Sequence, residues 1–488
     1  MRDLSVPQRF SFWIPFVIFS MAVGVALAVV ADDVGYAFLV AGVLIIPIGV
    51  GILISVPAGW SKVKRLSRRL GWWHVFWALY FLGGLTFRVR DTESTVENPL
   101  DAAAFYRVAL VGIVGIILLG ALTLRRGLGL NRVFGGLIGL LSLYAFVCIA
   151  STLWSVYPSW TLYKSLEYVL GVVLIGVIVA SMRSEVQFKS LFDWTWLLVG
   201  LETLSVWVGV ILRPEEAISQ GVGLLGIQIH GLFPRVAANG VGDLGALLGI
   251  VTMVRLFFAK GVSRRLYLAV FVIGMVTLAL SQSRSPLAGF LLAMLIILFA
   301  AGKIGLVAFL GLLLLGAGLL SPLGAYFWQF FLRGQSQELF FSLSGRVYYW
   351  EAALQFILEN PLLGYGAYAG GRFLVATEFG STLSSLHGTW PEVLIGTGVL
   401  GLIPLIAAVV STWFVLVRAR TSQSRTLREQ LRLEAVGVMT LLSVRSIFSV
   451  SFIWHPALTW LLALGYAEFL RRHYAHPSHP QPLHPARR

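Results

Sequence analysis

The chain reads as an all-α polytopic membrane protein of about 12–14 transmembrane helices, with one long loop containing an amphipathic helix. Three observations predict this. Hydrophobic residues make up 58% of the 488 residues and charged residues only 12%, about half of the roughly 25% usual in soluble chains. Apolar runs near the length of about 20 residues that crosses the hydrocarbon layer recur from end to end. Between them, loops rich in Lys and Arg alternate with loops that are poor in them.

Cut at its charge clusters, the sequence offers spans at 12–30, 36–57, 71–87, 106–124, 133–154, 164–181, 191–212, 237–259, 266–280, 286–301, 304–327, 390–417, 435–453 and 456–470. The first run is long and no small-residue cleavage site follows it, so a removed leader is not expected. With the N-terminus inside, about 25 Lys and Arg fall on the inner side and about 10 on the outer, which predicts cytoplasmic N- and C-termini. The net charge of +15 is then an asymmetry across the bilayer, and no nucleic-acid partner is expected. The single cysteine, Cys148, lies in an apolar run, which leaves no disulfide framework and no Cys-based zinc site. Three parts follow: N-terminal transmembrane helices over 1–153, a main membrane domain over 154–470, and a Pro- and His-rich cytoplasmic tail over 471–488, expected to be disordered.

The outer side carries most of the polar chemistry. Its segments are a charged loop at 88–107, the aromatic WSVYPSW at 154–160, a glycine-rich stretch at 213–239 and the long loop at about 329–389. In that loop Arg346–Glu359 reads as an amphipathic helix with Val347, Trp350, Leu354 and Ile357 on one face. It should stop at Asn360-Pro361, with Gly364 and Gly366 forming a turn.

Two constellations there can do chemistry. His387 precedes Thr389-Trp-Pro-Glu392, which fits a helix start with Thr389 as N-cap and Glu392 closing a capping box. A neutral imidazole beside that terminus can serve as a general base; the plain alternative is an interfacial histidine bonded to a carbonyl. In Ser281-Gln-Ser-Arg284-Ser-Pro286, Ser285 and Pro286 fit an N-cap and first turn, so Arg284 precedes a helix N-terminus and suits a phosphate or carboxylate. Arg235, followed by Asn239, is a third outer cation, and Arg88, Arg90, Arg333, Arg346 and Arg372 also lie outside. Glu167, Asp193, Glu202, Asp243 and Arg445 fall inside spans, where they call for partners or mark an ion path. Gly396, Gly398 and Gly401 form a GxGxxG pattern, but no strand precedes it; close helix packing is the better reading. No phosphate-binding loop, Asp-x-Asp pair or HExxH motif occurs, so neither a cofactor nor a metal is expected.

Taken together, WSVYPSW, the Ser281–Arg284 turn, the GRVYYWEAALQFILENPLLGYGAY stretch and LHGTWPEVLIGTGVLG resemble the O-antigen ligase and polysaccharide polymerase superfamily, in the family's order over roughly 154–464. The resemblance implies a metal-independent glycosyltransferase of the bacterial inner membrane. It would move a glycan from a polyprenyl diphosphate, typically undecaprenyl diphosphate, to a lipid or polysaccharide acceptor on the periplasmic side, as in lipopolysaccharide or other polysaccharide biosynthesis. His387 would then activate the acceptor hydroxyl, and Arg284 would hold the diphosphate. Many members carry an arginine shortly before the glycine equivalent to Gly231; this chain has Gln228-Ile-His230 there. Arg235 is the substitute expected for it, with His230, Arg346, Trp350 and Glu392 as acceptor or glycan contacts. A transporter or flippase of lipid-linked glycans is the competing reading, motivated by the charges inside spans.

Overall fold

The computed structural model describes residues 71–86, 107–108, 111–116, 118, 120, 129–319, 324–325, 329, 332, 335–343, 345–375, 379, 385–420, 426–454 and 458–474. The expected spans at 12–30 and 36–57, about half of the one at 106–124, Arg88, Arg90, Arg333 and the tail from 475 lie outside the described residues.

The fold is an all-α bundle. Its main helices are α1 (Trp72–Gly84), α2 (Gly136–Ala150), α3 (Pro158–Ser181), α4 (Glu185–Leu212), α5 (Ala238–Phe258), α6 (Gly261–Ser281), α7 (Arg284–Ala300), α8 (Ile304–Leu319), α9 (Arg346–Glu359), α10 (Thr389–Arg418), α11 (Leu427–Phe448) and α12 (Leu458–Tyr474). Among the described residues six helices are long and apolar enough to cross a membrane: α2 with its 3-10 extension to Trp154, α3, α4, α5, α6 and α10. The shorter α7, 17 residues long, is also apolar. These helices lie where the apolar runs predict them.

Helix α5 is the centre of the bundle. Most of its residues from Val241 to Arg255 are buried, and it packs against α4, α6, α7 and α11. Its glycines permit this. A Cβ on Gly245 would lie 2.6 Å from the Leu278 nitrogen and 2.7 Å from the Gly274 carbonyl of α6, so the two backbones are in direct contact. Around the rim, Leu197, Leu201, Leu204 and Ile211 of α4 and Leu266, Leu268, Val272 and Ile273 of α6 are exposed, as befits surfaces solvated by lipid.

The charges inside helices are mostly paired between helices. Glu167 meets Lys164 at 2.8 Å and Arg107 at 3.4 Å. Arg255 of α5 meets Asp193 of α4 at 2.8 Å and Glu434 of α11 at 2.9 Å. Arg445 of α11 meets Asp243 of α5 at 2.6 Å. Glu202 is half-buried on α4 and takes part in no ion pair among the described residues.

Two features correct the sequence reading. The glycine-rich stretch after α4 contains a short antiparallel hairpin, β1 (Ile218–Gln220) and β2 (Ile227–Ile229). Three-residue strands are too brief for a period-2 pattern to register. The glycines of α10, for their part, do not serve helix–helix packing alone. Gly398 has φ 57° and ψ −159°, breaking the helix. The freed carbonyls of Ile395 and Gly396 accept from the N–H groups of Tyr365 (2.8 Å) and Gly366 (2.8 Å), and Val399 N–H donates to Pro361 O (2.9 Å). The broken spanning helix and the Pro361–Gly366 turn are therefore one backbone-bonded unit. A Cβ at Gly398 would stand 2.3 Å from the Leu362 carbonyl. Gly398→Ala combines that clash with a left-handed φ and should lower stability by about 2–3 kcal/mol, measurable as an earlier thermal unfolding of the detergent-solubilised protein.

Candidate active site

The helix ends at one pole of the bundle carry the site. α3, α5, α7, α10 and α12 begin there, and α2, α4, α6 and α11 end there. Cross-connections fix these ends to one another: Val156 N–H to Tyr365 O (3.0 Å), Ser283 Oγ to Ala238 O (2.9 Å), and Thr389 Oγ1 to Ser449 O (2.8 Å).

Arg284 is set by the turn between α6 and α7. Gln282 ends α6 in the left-handed conformation, φ 47°. Its buried side-chain amide donates to the Val222 carbonyl at 2.6 Å and to the Ile227 carbonyl. Gln228 donates back to Ser281 O at 2.8 Å. The hairpin is thus fastened to the turn that presents Arg284. The helix start differs from expectation by two residues: Ser283 is the N-cap, without a side-chain cap, and Arg284 is the first helical residue. Ser285 is committed elsewhere, accepting from Arg445 Nη1 at 2.6 Å. The Arg284 guanidinium donates to Gln335 Oε1 at 2.8 Å and lies 5.1 Å from the Phe340 ring centroid.

Arg346 opens α9, which has the bounds the sequence predicts, but its packed face is rotated. Ala353 is buried, with Tyr349, Trp350, Phe356 and Ile357 around it, while Leu354 is 51% exposed. Packing against Val375, Leu386 and Ile395 decides the face, which spacing within one helix does not reveal. Trp350 Nε1 donates to Leu386 O at 2.9 Å.

Glu392 does not close a capping box. Gly388 is the N-cap of α10, Thr389 is turned to Ser449, and Glu392 Oε2 accepts from Leu386 N–H at 2.9 Å. Leu386 is therefore held through both its backbone groups, by Glu392 and by Trp350. The next residue, His387, has φ 53°, a left-handed value that a non-glycine residue keeps only when its surroundings impose it.

These elements bring Arg284, Arg346, Arg445 and His387 into one electrostatic group. Burial first, and then Arg346 and Arg445, push the His387 imidazole down to about 4. Burial first, and then Arg445 and Arg284, bring Arg346 down to about 10. Burial is the larger cause of both shifts; the smaller part comes from guanidiniums on three elements, in spite of the Asp243 carboxylate on Arg445. Such a place attracts an anion with several oxygens and holds beside it an imidazole that is neutral at pH 7.

Two other expected site residues are not among the charges that act on His387 and Arg346. Arg235 is exposed, tied by its backbone N–H to Thr86 O at 2.7 Å, and among the described residues its guanidinium joins no ion pair. The charges that act on His387 and Arg346 include Arg445, from a distant helix, and not Arg235. Sequence reading had Arg445 only as a costly charge inside a span, because nothing local reveals that the last turn of α11 ends beside α7. His230 belongs to the hairpin region, with Nε2 2.9 Å from Ser219 Oγ.

A polytopic α-helical bundle with a cationic site at one pole is thus defined. Residues 245–406 match the family model described as O-antigen ligase, and this places the stretch in the O-antigen ligase and polysaccharide polymerase superfamily, as the motifs predicted. Membrane glycosyl transfer of the O-antigen ligase kind is the activity that the match implies. The matched stretch holds Arg284, Arg346, Trp350, His387 and Glu392; His230, Arg235 and Arg445 fall outside it. No curated protein matches the chain.

The electrostatics yield a direct test. In the free protein, the His387 imidazole should titrate near 4, so it carries no charge at pH 7 and gains a proton only as pH falls toward that value. Arg346→Gln removes one guanidinium and should move the titration upward, toward the ordinary 6.5, as read by NMR of ring-labelled histidine.

Proposed function

We propose that the protein transfers a glycan from a polyprenyl diphosphate carrier to an acceptor hydroxyl at the periplasmic face of the bacterial inner membrane. The reading is carried by the placement of Arg445 on the residue next to Arg284, Nη1 to Ser285 Oγ 2.6 Å, with Arg346 and Arg445 both acting on a half-buried His387.

In the reaction, the acceptor oxygen attacks the anomeric carbon of the carrier-linked sugar. The bond from that carbon to the diphosphate oxygen breaks, and its electron pair leaves with the polyprenyl diphosphate. His387 takes the hydroxyl proton as the new glycosidic bond forms. The guanidiniums hold the diphosphate and stabilise the charge that grows on it, so positioning and charge supply the catalysis. Metal is not required for this, and a chelator should leave the rate unchanged.

A base with a pKa near 4 is weak, and the substrate corrects it. The diphosphate offsets the guanidiniums' charge, so its arrival raises the imidazole's proton affinity when the acceptor needs it. Glu167, Asp193, Asp243 and Arg445 are engaged in ion pairs between groups of the bundle, which favours transfer over the transporter reading.

Arg284→Ala should cost about 10²–10³-fold in kcat, and His387→Ala about 10²–10⁴-fold, with both proteins still inserted and folded. Product formation from a polyprenyl-diphosphate oligosaccharide is the measurement. Undiminished transfer by both variants refutes the mechanism. In the active protein, the acid limb of kcat/KM for the donor should lie near 4, and that of kcat, measured with donor bound, at higher pH.

A further inference from the structure

The segment before α9 meets two arginines of the site, one at each of its ends. At the first end Gln335 Oε1 accepts from Arg284 Nη2 at 2.8 Å. At the second the Leu343 carbonyl accepts from Arg346 Nη1 at 3.2 Å. Between them runs a short helix, Gln337–Phe341, with Ser336 Oγ accepting from Leu339 N–H at 3.2 Å. Its Phe340 ring centroid lies 5.1 Å from the Arg284 guanidinium. The segment packs shallowly: no residue of the short helix is buried, and Leu339 and Phe341 are 40% and 68% exposed. The chain then passes through Leu343 (φ 54°) and Gly345 (φ 84°), both left-handed, before α9 begins. Slight burial beside a left-handed leucine marks a stretch of low local stability.

We infer that residues 335–343 form a strap that closes the diphosphate site of the free protein and is displaced by the diphosphate, with Gln335 setting the affinity. The inference rests on the transfer reading above, in which Arg284 and Arg346 hold the diphosphate. The oxygens decide the direction of the exchange. An amide oxygen is neutral overall, whereas a diphosphate oxygen is anionic, so a guanidinium bonds the second more strongly. Without an anion, the strap gives the arginines oxygens to bond and so keeps two like charges in place. When the anion arrives the arginines stay and only the strap moves. The apparent dissociation constant is then the intrinsic one divided by the fraction of protein with the strap open. The same competition confers selectivity, since a ligand that reaches a single arginine leaves the other end of the strap bound.

The test uses the full chain in lipid nanodiscs, with farnesyl diphosphate as the probe and no sugar present. Gln335→Ala removes the oxygen at Arg284 and should tighten binding about ten-fold, the scale of one hydrogen bond to a charged group. Gln335→Glu puts a carboxylate on Arg284 and should weaken binding. A nitroxide on Phe341→Cys reports the strap directly, since the one native cysteine, Cys148, is buried. Its motion should quicken when the probe is added, and without probe in Gln335→Ala. Tighter binding in Gln335→Ala and weaker binding in Gln335→Glu, with a label that the probe frees, sustain the strap. Weaker binding in both variants, as a direct contact from Gln335 to the diphosphate would give, overturns it and leaves the diphosphate reading standing. So does an affinity unmoved in both variants, or a label that binding leaves fixed. No binding by either the unaltered protein or Gln335→Ala rejects the diphosphate reading itself, and the strap with it.

Discussion

The site depends on a helix that is broken inside the bundle and mended by a loop. In hydrocarbon, a backbone group without a partner costs several kcal/mol, so the interruption at Gly398 persists only because the turn at 361–366 supplies replacement hydrogen bonds. That exchange fixes the end of α9 against the first half of α10. α9 brings Arg346 and Trp350; α10 begins two residues after His387. One set of main-chain contacts therefore determines how a surface helix and a spanning helix pack together.

The rest of the site is assembled by similar small ties. Gln282 fills the hairpin loop, Gln228 returns to Ser281, and Ser285 receives Arg445. Each replaces what would be a flexible connection by a hydrogen bond in a poorly solvated place, where such bonds are hard to exchange for water. The result is a set of positive groups held near one another against their mutual repulsion, with Asp243 relieving part of it. Preorganised charge of this kind needs no rearrangement when an anion arrives.

Much of the fold was legible in the sequence, because span length and apolarity are imposed by the bilayer and do not depend on neighbours. Arg284, Arg346 and His387 were legible as well, since each sits at a helix boundary marked by Ser, Gly or Pro. What lay beyond reach was long-range. Arg445 comes from a helix 160 residues away from its Ser285 partner, a separation that no local motif bridges. The rotated face of α9 and the engagement of Glu392 by Leu386 are likewise decided by packing partners. The capping motif at Thr389 was a real local pattern, overruled by a stronger use for both side chains.

The shortness of α7 has a further meaning. Seventeen residues at 1.5 Å each make a rod of about 25 Å, less than the roughly 30 Å of a typical hydrocarbon slab. Lipids around this helix must either thin or leave its first residue recessed below their phosphates. An anion that reaches a recessed Arg284 must therefore pass below the plane of the phospholipid headgroups, out of competition with the bulk lipid surface.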